Sequence, residues 1–148
     1  MNVLIIHNQV IPVQGYGGVE RIIWWLGKEL ARLGHQVSYL VPAGSQCPFA
    51  TIINYNHSRT LKEQIPPTID CVHLCYQTQE KIQKPYLVMY QYNYHPQDTF
   101  DINTVFISKN HAQRNGSRTY VYNGIYIEEY GSVDFGSLLV LLFVLGYG

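Results

Sequence analysis

The opening segment, from Val3 to Val41, confines the chain to a small set of folds. Val3-Leu4-Ile5-Ile6 is a continuous apolar run of strand length. Continuous apolarity marks a strand buried on both faces, as in a parallel sheet covered on either side. A loop with Pro12, Gly15, Gly17 and Gly18 follows, and a helix starts near Val19. Val19, Ile22, Ile23, Leu26, Leu30 and Leu33 recur at helical spacing on one arc, with Arg21, Lys28 and Arg32 opposite. Trp25 flanks that arc. Trp24 points away from it, toward a partner or over a neighbouring loop. Gly34 ends the helix, and Gln36-Val37-Ser38-Tyr39-Leu40-Val41 is the second strand. Two parallel strands bridged by one helix make a right-handed βαβ unit. Its glycine loop and helix N-terminus converge where an anion, usually a phosphate, is favoured.

The remaining chain repeats this alternation. Thr51-Ile52-Ile53-Asn54-Tyr55, Ile69 to Leu74, Tyr86 to Tyr90, Thr104 to Ile107 and Thr119 to Tyr122 read as strands. Gln79 to Gln83 reads as a short helix stopped before Pro85. Ser108 reads as the N-cap of a helix through Arg114 that Gly116 ends. The expectation is a single α/β domain, a Rossmann-like three-layer parallel sheet, over residues 1–130. Residues 131–148 read as a linker and an apolar terminal strand. That run is shorter than the roughly 20 residues of a membrane span.

At 148 residues, 47 % hydrophobic and 14 % charged, the chain has material for one real core. The formal net charge is zero, and Lys and Arg form no run. Nucleic acid needs a concentrated basic surface, so it is excluded as a partner. Three cysteines and no signal peptide point to reduced thiols in the cytoplasm. Cys71, His73 and Cys75 alternate on one strand face, either as small buried groups or as a metal site. No G-x-G-x-x-G follows the first strand, Leu40-Val41-Pro42-Ala43 offers no carboxylate, and no Walker lysine is present. A nicotinamide cofactor is therefore not expected.

Gly17-Gly18-Val19-Glu20-Arg21, with Leu30 and Arg32-Leu33-Gly34-His35-Gln36-Val37, resembles the opening of family 4 retaining glycosyltransferases. Ile69-Asp70-Cys71-Val72-His73, Phe106-Ile107-Ser108-Lys109-Asn110 and Val121-Tyr122-Asn123-Gly124-Ile125 resemble later segments of the family, in order. The resemblance covers residues 1–130. It implies the N-terminal, acceptor-side half of a GT-B architecture, with the donor-binding domain elsewhere and residues 131–148 as its truncated beginning. The terminal strand then serves as an added strand or an interface, to a second copy or to a second-domain partner. The implied activity is transfer of a sugar from a nucleotide sugar to an acceptor saccharide or lipid-linked sugar, without metal or other cofactor. The isolated chain is expected to be inactive. The alternative is a non-catalytic binding module or remnant that keeps the fold without turnover.

In this resemblance the backbones of Gly17 and Gly18 approach the diphosphate. The other reading gives both glycines only a tight turn. Gln91 stands where the family often carries a histidine, and His95 lies four residues later. They are the catalytic candidates. Gln91 can hydrogen-bond a sugar but carries no proton at neutral pH. His95 also reads as a plain loop histidine before Pro96. His7, Asn8 and Gln9 follow the first strand, at the sheet edge where ligands of open α/β sheets gather. Tyr90, Tyr92 and Tyr94 alternate as an acceptor platform or as a half-exposed edge strand. Asn123, a candidate substrate contact, also suits the turn with Gly124.

Overall fold

The computed structural model describes residues 1–93 and 99–130. Tyr94 and His95 of the expectations above, and the apolar segment 131–148, lie outside the described residues. Six strands, β1 (Asn2–Ile6), β2 (Gln36–Val41), β3 (Thr51–Asn54), β4 (Cys71–Leu74), β5 (Tyr86–Tyr90) and β6 (Thr104–Phe106), form one sheet in the order β3-β2-β1-β4-β5-β6. Every pairing is parallel. This is a single α/β domain of Rossmann-like topology. The chain leaves β1 toward β2 and β3, then returns to lay β4 against the other side of β1, so the strand order reverses between β1 and β4.

The apolar first strand is explained by its two neighbours in depth. Val3 and Ile5 join Val37, Tyr39 and Val41 in a cluster closed by Ile23 of helix α1 (Gly18–Arg32). Leu4 and Ile6 point to the opposite face, into a cluster with Leu40, Val72, Leu74 and Val88. That second face is closed by Leu61, Ile69 and Ile82. A strand covered on both sides favours apolar side chains throughout.

Several elements differ from the sequence reading. Gln79 to Gln83 forms no helix. Ile82 is drawn into the core, and Glu80 accepts a hydrogen bond from the Leu61 amide at 2.6 Å. The crossover is thereby fixed by its side chains rather than by a helical turn. The amide that Glu80 satisfies belongs to a short helix not expected from sequence, α2 (Leu61–Gln64), opened by a Thr60–Glu63 capping box. The strand expected at Thr119 to Tyr122 is reduced to one bridge, Tyr120 with Phe106. Its neighbour β6 is only three residues long and offers little ladder to extend. Helix α3 (Lys109–Arg114) starts as expected, with Ser108 Oγ accepting from the His111 amide at 3.1 Å. On α1, Leu33 is 64 % exposed because the helix ends at Arg32, and Trp25 takes the buried place instead at 8 %. Trp24 lies edge-on against Phe49 of the β2–β3 loop, 4.8 Å between ring centroids.

Candidate functional site

The site lies at the C-terminal edge of the sheet, where the strand order reverses. In open α/β sheets this crevice is where ligands bind. His7 leaves the end of β1, its amide donating to the Leu40 carbonyl at 3.1 Å. Cys75 leaves the end of β4, its amide donating to the Ile6 carbonyl at 3.1 Å. Helix α1 points its N-terminus at the same edge, because the loop from His7 to Gly17 turns the chain back over the sheet. That loop is anchored at the buried Ile11, whose amide donates to Ser45 Oγ at 3.2 Å and whose carbonyl accepts from the Gln46 amide at 2.8 Å.

The two glycines have different surroundings. A Cβ at Gly17 would stand 2.5 Å from Val13 Cγ2 and 2.6 Å from Glu20 Oε2, so a side chain there would force both to shift. Gly17 is the N-cap and has extended backbone, φ 175°. A Cβ at Gly18 would meet nothing within 4 Å. Close contacts with neighbouring side chains, not backbone conformation, set Gly17 apart from Gly18. Gly18 stands at the open first position of a 15-residue helix that has no side-chain cap, where a backbone N–H can be approached by an anion.

Glu20 occupies the third position of the helix and folds back toward this end. Its Oε1 accepts a hydrogen bond from His7 Nε2 at 3.2 Å. His7 is 1 % exposed, so its imidazole faces inward and holds Glu20 rather than presenting itself at the surface. Burial lowers the His7 pKa, against the raising effect of the Glu20 contact, so the imidazole is neutral at neutral pH. Asn8 and Gln9 are exposed beside it. Burial pushes the Cys75 thiol up, with the nearby Glu20 charge adding to the effect, so this sulfur stays protonated. Tyr92 is 47 % exposed and lies edge-on to Tyr90, 5.9 Å between centroids. Its hydroxyl pKa is raised, by partial burial first and then by Cys75 and Glu20. Tyr90 itself is buried against Phe100 and Phe106, so only Tyr92 of this described pair offers a ring to a ligand.

Two candidates fall elsewhere. Gln91 and Asn123 meet each other, Asn123 Nδ2 donating to Gln91 Oε1 at 3.3 Å. They line a cavity between α1 and β5, whereas the glycine loop flanks a groove lined by Val13, Glu20, Arg21 and Glu129. Glu129 was not expected from sequence. It reaches α1 from a 3-10 turn (Ile127–Tyr130), accepting from Trp25 Nε1 at 2.7 Å and from Lys28 Nζ at 3.2 Å. No local pattern announces a contact across that separation. Glu20, by contrast, is legible as a third-position acid behind a glycine N-cap.

The arrangement can offer backbone donors at Gly18, polar contacts from Asn8 and Gln9, and the Tyr92 ring. The charges of the groove are Glu20, Glu129 and Arg21, and the Arg21 guanidinium is already donating to the Gly15 carbonyl at 3.0 Å. Among the described residues no group of three or more His, Cys, Asp or Glu could hold a metal ion, and no helix is long and apolar enough to cross a membrane. All three cysteines are free. A scan of protein-family models finds no match to this chain, and no curated protein is significantly similar to it.

Proposed function

We propose that this chain is the acceptor-side half of a retaining glycosyltransferase, working with a donor-binding domain to move a sugar from a nucleotide sugar to a saccharide or lipid-linked acceptor. The observation that carries the reading is the unobstructed Gly18 at the start of α1, beside the crevice where the strand order reverses. During transfer, negative charge grows on the leaving diphosphate oxygen. Fixed N–H donors aimed at that oxygen stabilise it without reorganisation. In this reading Gly18 supplies such a donor, Asn8, Gln9 and Tyr92 meet the sugar, and the donor-binding half supplies cations and the nucleotide pocket. His95 remains the candidate for proton chemistry. The reading puts the protein in the cytoplasm, where its free thiols stay reduced.

Calorimetry with UDP, GDP and their sugars tests it. Heat is expected with one of these nucleotides, alone or with a donor-binding partner chain, and is expected to vanish in Gly18→Val. That side chain enters open space, so the fold tolerates it while access to the amide is blocked. Silence with every nucleotide, with and without a partner, refutes the proposal. A second reading, a binding module without turnover, is favoured by the excess of carboxylates over cations along the glycine groove. Nucleotide heat without sugar transfer in the presence of the partner selects it.

A further inference from the structure

Helix α1 does not cover the whole of its side of the sheet. It packs over β2 and the cluster of Val3, Ile5, Val37 and Tyr39. Over β4 and β5 the cover is the irregular stretch from Val121 to Tyr126. That stretch is held to α1 by Lys28 Nζ, 4.1 Å above the Tyr126 ring, and by the Glu129 contacts to Trp25 and Lys28. An irregular cover fits less closely than a helix. A cavity of about 260 Å³ remains between Ile22 and Leu26 of α1, His73 and Met89 of the sheet, and Tyr122 and Ile125 of the cover.

Two polar side chains lining this apolar space each bury a nitrogen without a hydrogen-bond partner. His73 is 7 % exposed, and its Nε2 has no hydrogen-bond partner. Burial lowers its pKa to about 4, so the ring is neutral across the ordinary pH range. Gln91 spends its Oε1 on Asn123, which identifies the amide nitrogen as the free end, and that Nε2 is buried with no partner. An unsatisfied buried polar atom costs about 1–3 kcal/mol, so two of them around one cavity point to a ligand that satisfies both. Glu29 is the one charged side chain lining the cavity among the described residues, which disfavours an anion. Trp25, Tyr122 and Tyr126 give it aromatic walls.

His73 pairs in register with Leu87. Gln91 lies four residues further along the same direction, so the two side chains stem from points roughly 13 Å apart. The ligand needs two oxygens at opposite ends of an apolar body. We propose that the cavity binds a small neutral hydroxyaryl ketone, its carbonyl accepting from Gln91 Nε2 and its phenol, which can donate or accept, hydrogen-bonding His73 Nε2. The cavity shares only Trp25 with the groove beside the glycine loop, and the proposal does not rest on nucleotide binding there.

Amide chemical shifts of the whole chain, followed while 4-hydroxyacetophenone, acetophenone or propylbenzene is added up to about 5 mM, test this. The hydroxy ketone is expected to shift His73, Met89, Gln91 and Leu26 and to bind about tenfold more tightly than propylbenzene. His73→Leu and Gln91→Leu each weaken the hydroxy ketone about tenfold and leave propylbenzene binding equal or tighter. Ile22→Trp, which fills the space from the helix side, abolishes binding of all three while any nucleotide heat persists. Each variant's spectrum verifies its fold, and the three substitutions fail independently. No localised shift with any probe, or equal responses of the hydroxy ketone in wild type and both leucine variants, overturns the proposal.

Discussion

Helix α1 positions the glycine groove, and its approach to the sheet depends on one residue, Gly27. Gly27 is buried, and a Cβ there would overlap the Tyr39 hydroxyl outright and stand 2.7 Å from Tyr39 Cζ. Tyr39 is fully buried in β2, and its hydroxyl donates to the Ile23 carbonyl at 2.9 Å. Gly27→Ala therefore forces either the ring or the helix to move. Overpacking a close-packed core costs about 1–3 kcal/mol. Losing the buried hydroxyl's hydrogen bond costs about 1–3 kcal/mol more. The better helix propensity of alanine returns about 1 kcal/mol. The net expectation is a loss of about 1–5 kcal/mol, centred near 3. Urea denaturation followed by circular dichroism should show the midpoint falling by about 1–3 M for a loss near 3 kcal/mol, given slopes of about 1–3 kcal/mol/M. Tyr39→Phe removes the atom that clashes worst but leaves the ring carbon, so it should recover part of the loss in the Gly27→Ala background while costing stability on its own. A Gly27→Ala protein as stable as wild type would falsify the close approach of α1 to β2. Additive single-variant effects would show that the two residues do not meet.

The other expectations concern charge and capping. His73 is held at a pKa of about 4 in the folded chain and has an ordinary value of about 6.5 unfolded. Above pH 7 neither state binds the proton and the residue has no effect. As pH falls through 6.5 the unfolded chain takes it up first, so stability drops by about 1.4 kcal/mol per unit and by about 3 kcal/mol near pH 4. Urea midpoints between pH 7.5 and 4.5 should fall less steeply in His73→Leu than in wild type, and parallel slopes would refute the burial argument. The lowered His7 pKa acts in the same direction. Glu20→Gln keeps an acceptor for His7 Nε2 but removes the carboxylate from the start of α1. Nucleotide affinity in calorimetry should rise about two- to fivefold if an anion binds at Gly18, and a fall would contradict that placement. Ser108→Ala deletes the cap of α3 and should cost about 1 kcal/mol in the same urea assay. An unchanged midpoint would mean that this terminus is satisfied in another way.

The sheet was legible because burial on both faces writes itself into each strand. Val3 to Ile6, Gln36 to Val41 and Tyr86 to Tyr90 are apolar runs bounded by breakers, and their neighbours in sequence allow little else. The start of α1, the stop at Gly34 and the cap at Ser108 were equally local, since each rests on the chemistry of one or two residues. Thr60 and Glu63 carried a capping signature as well, but four helical residues leave no apolar period to read. Tertiary structure alone decided the rest. It made Glu80 a cap for a helix in another crossover, brought Glu129 to Trp25 and set Gln91 against Asn123. It separated the roles of two adjacent glycines, because what surrounds Gly17 and leaves Gly18 open comes from the fold of a preceding loop. Patterns along the chain record which side chains must leave water. Which of them meet, and where space is left between them, depends on how layers of finite thickness close over one another, and that information exists only in the packed molecule.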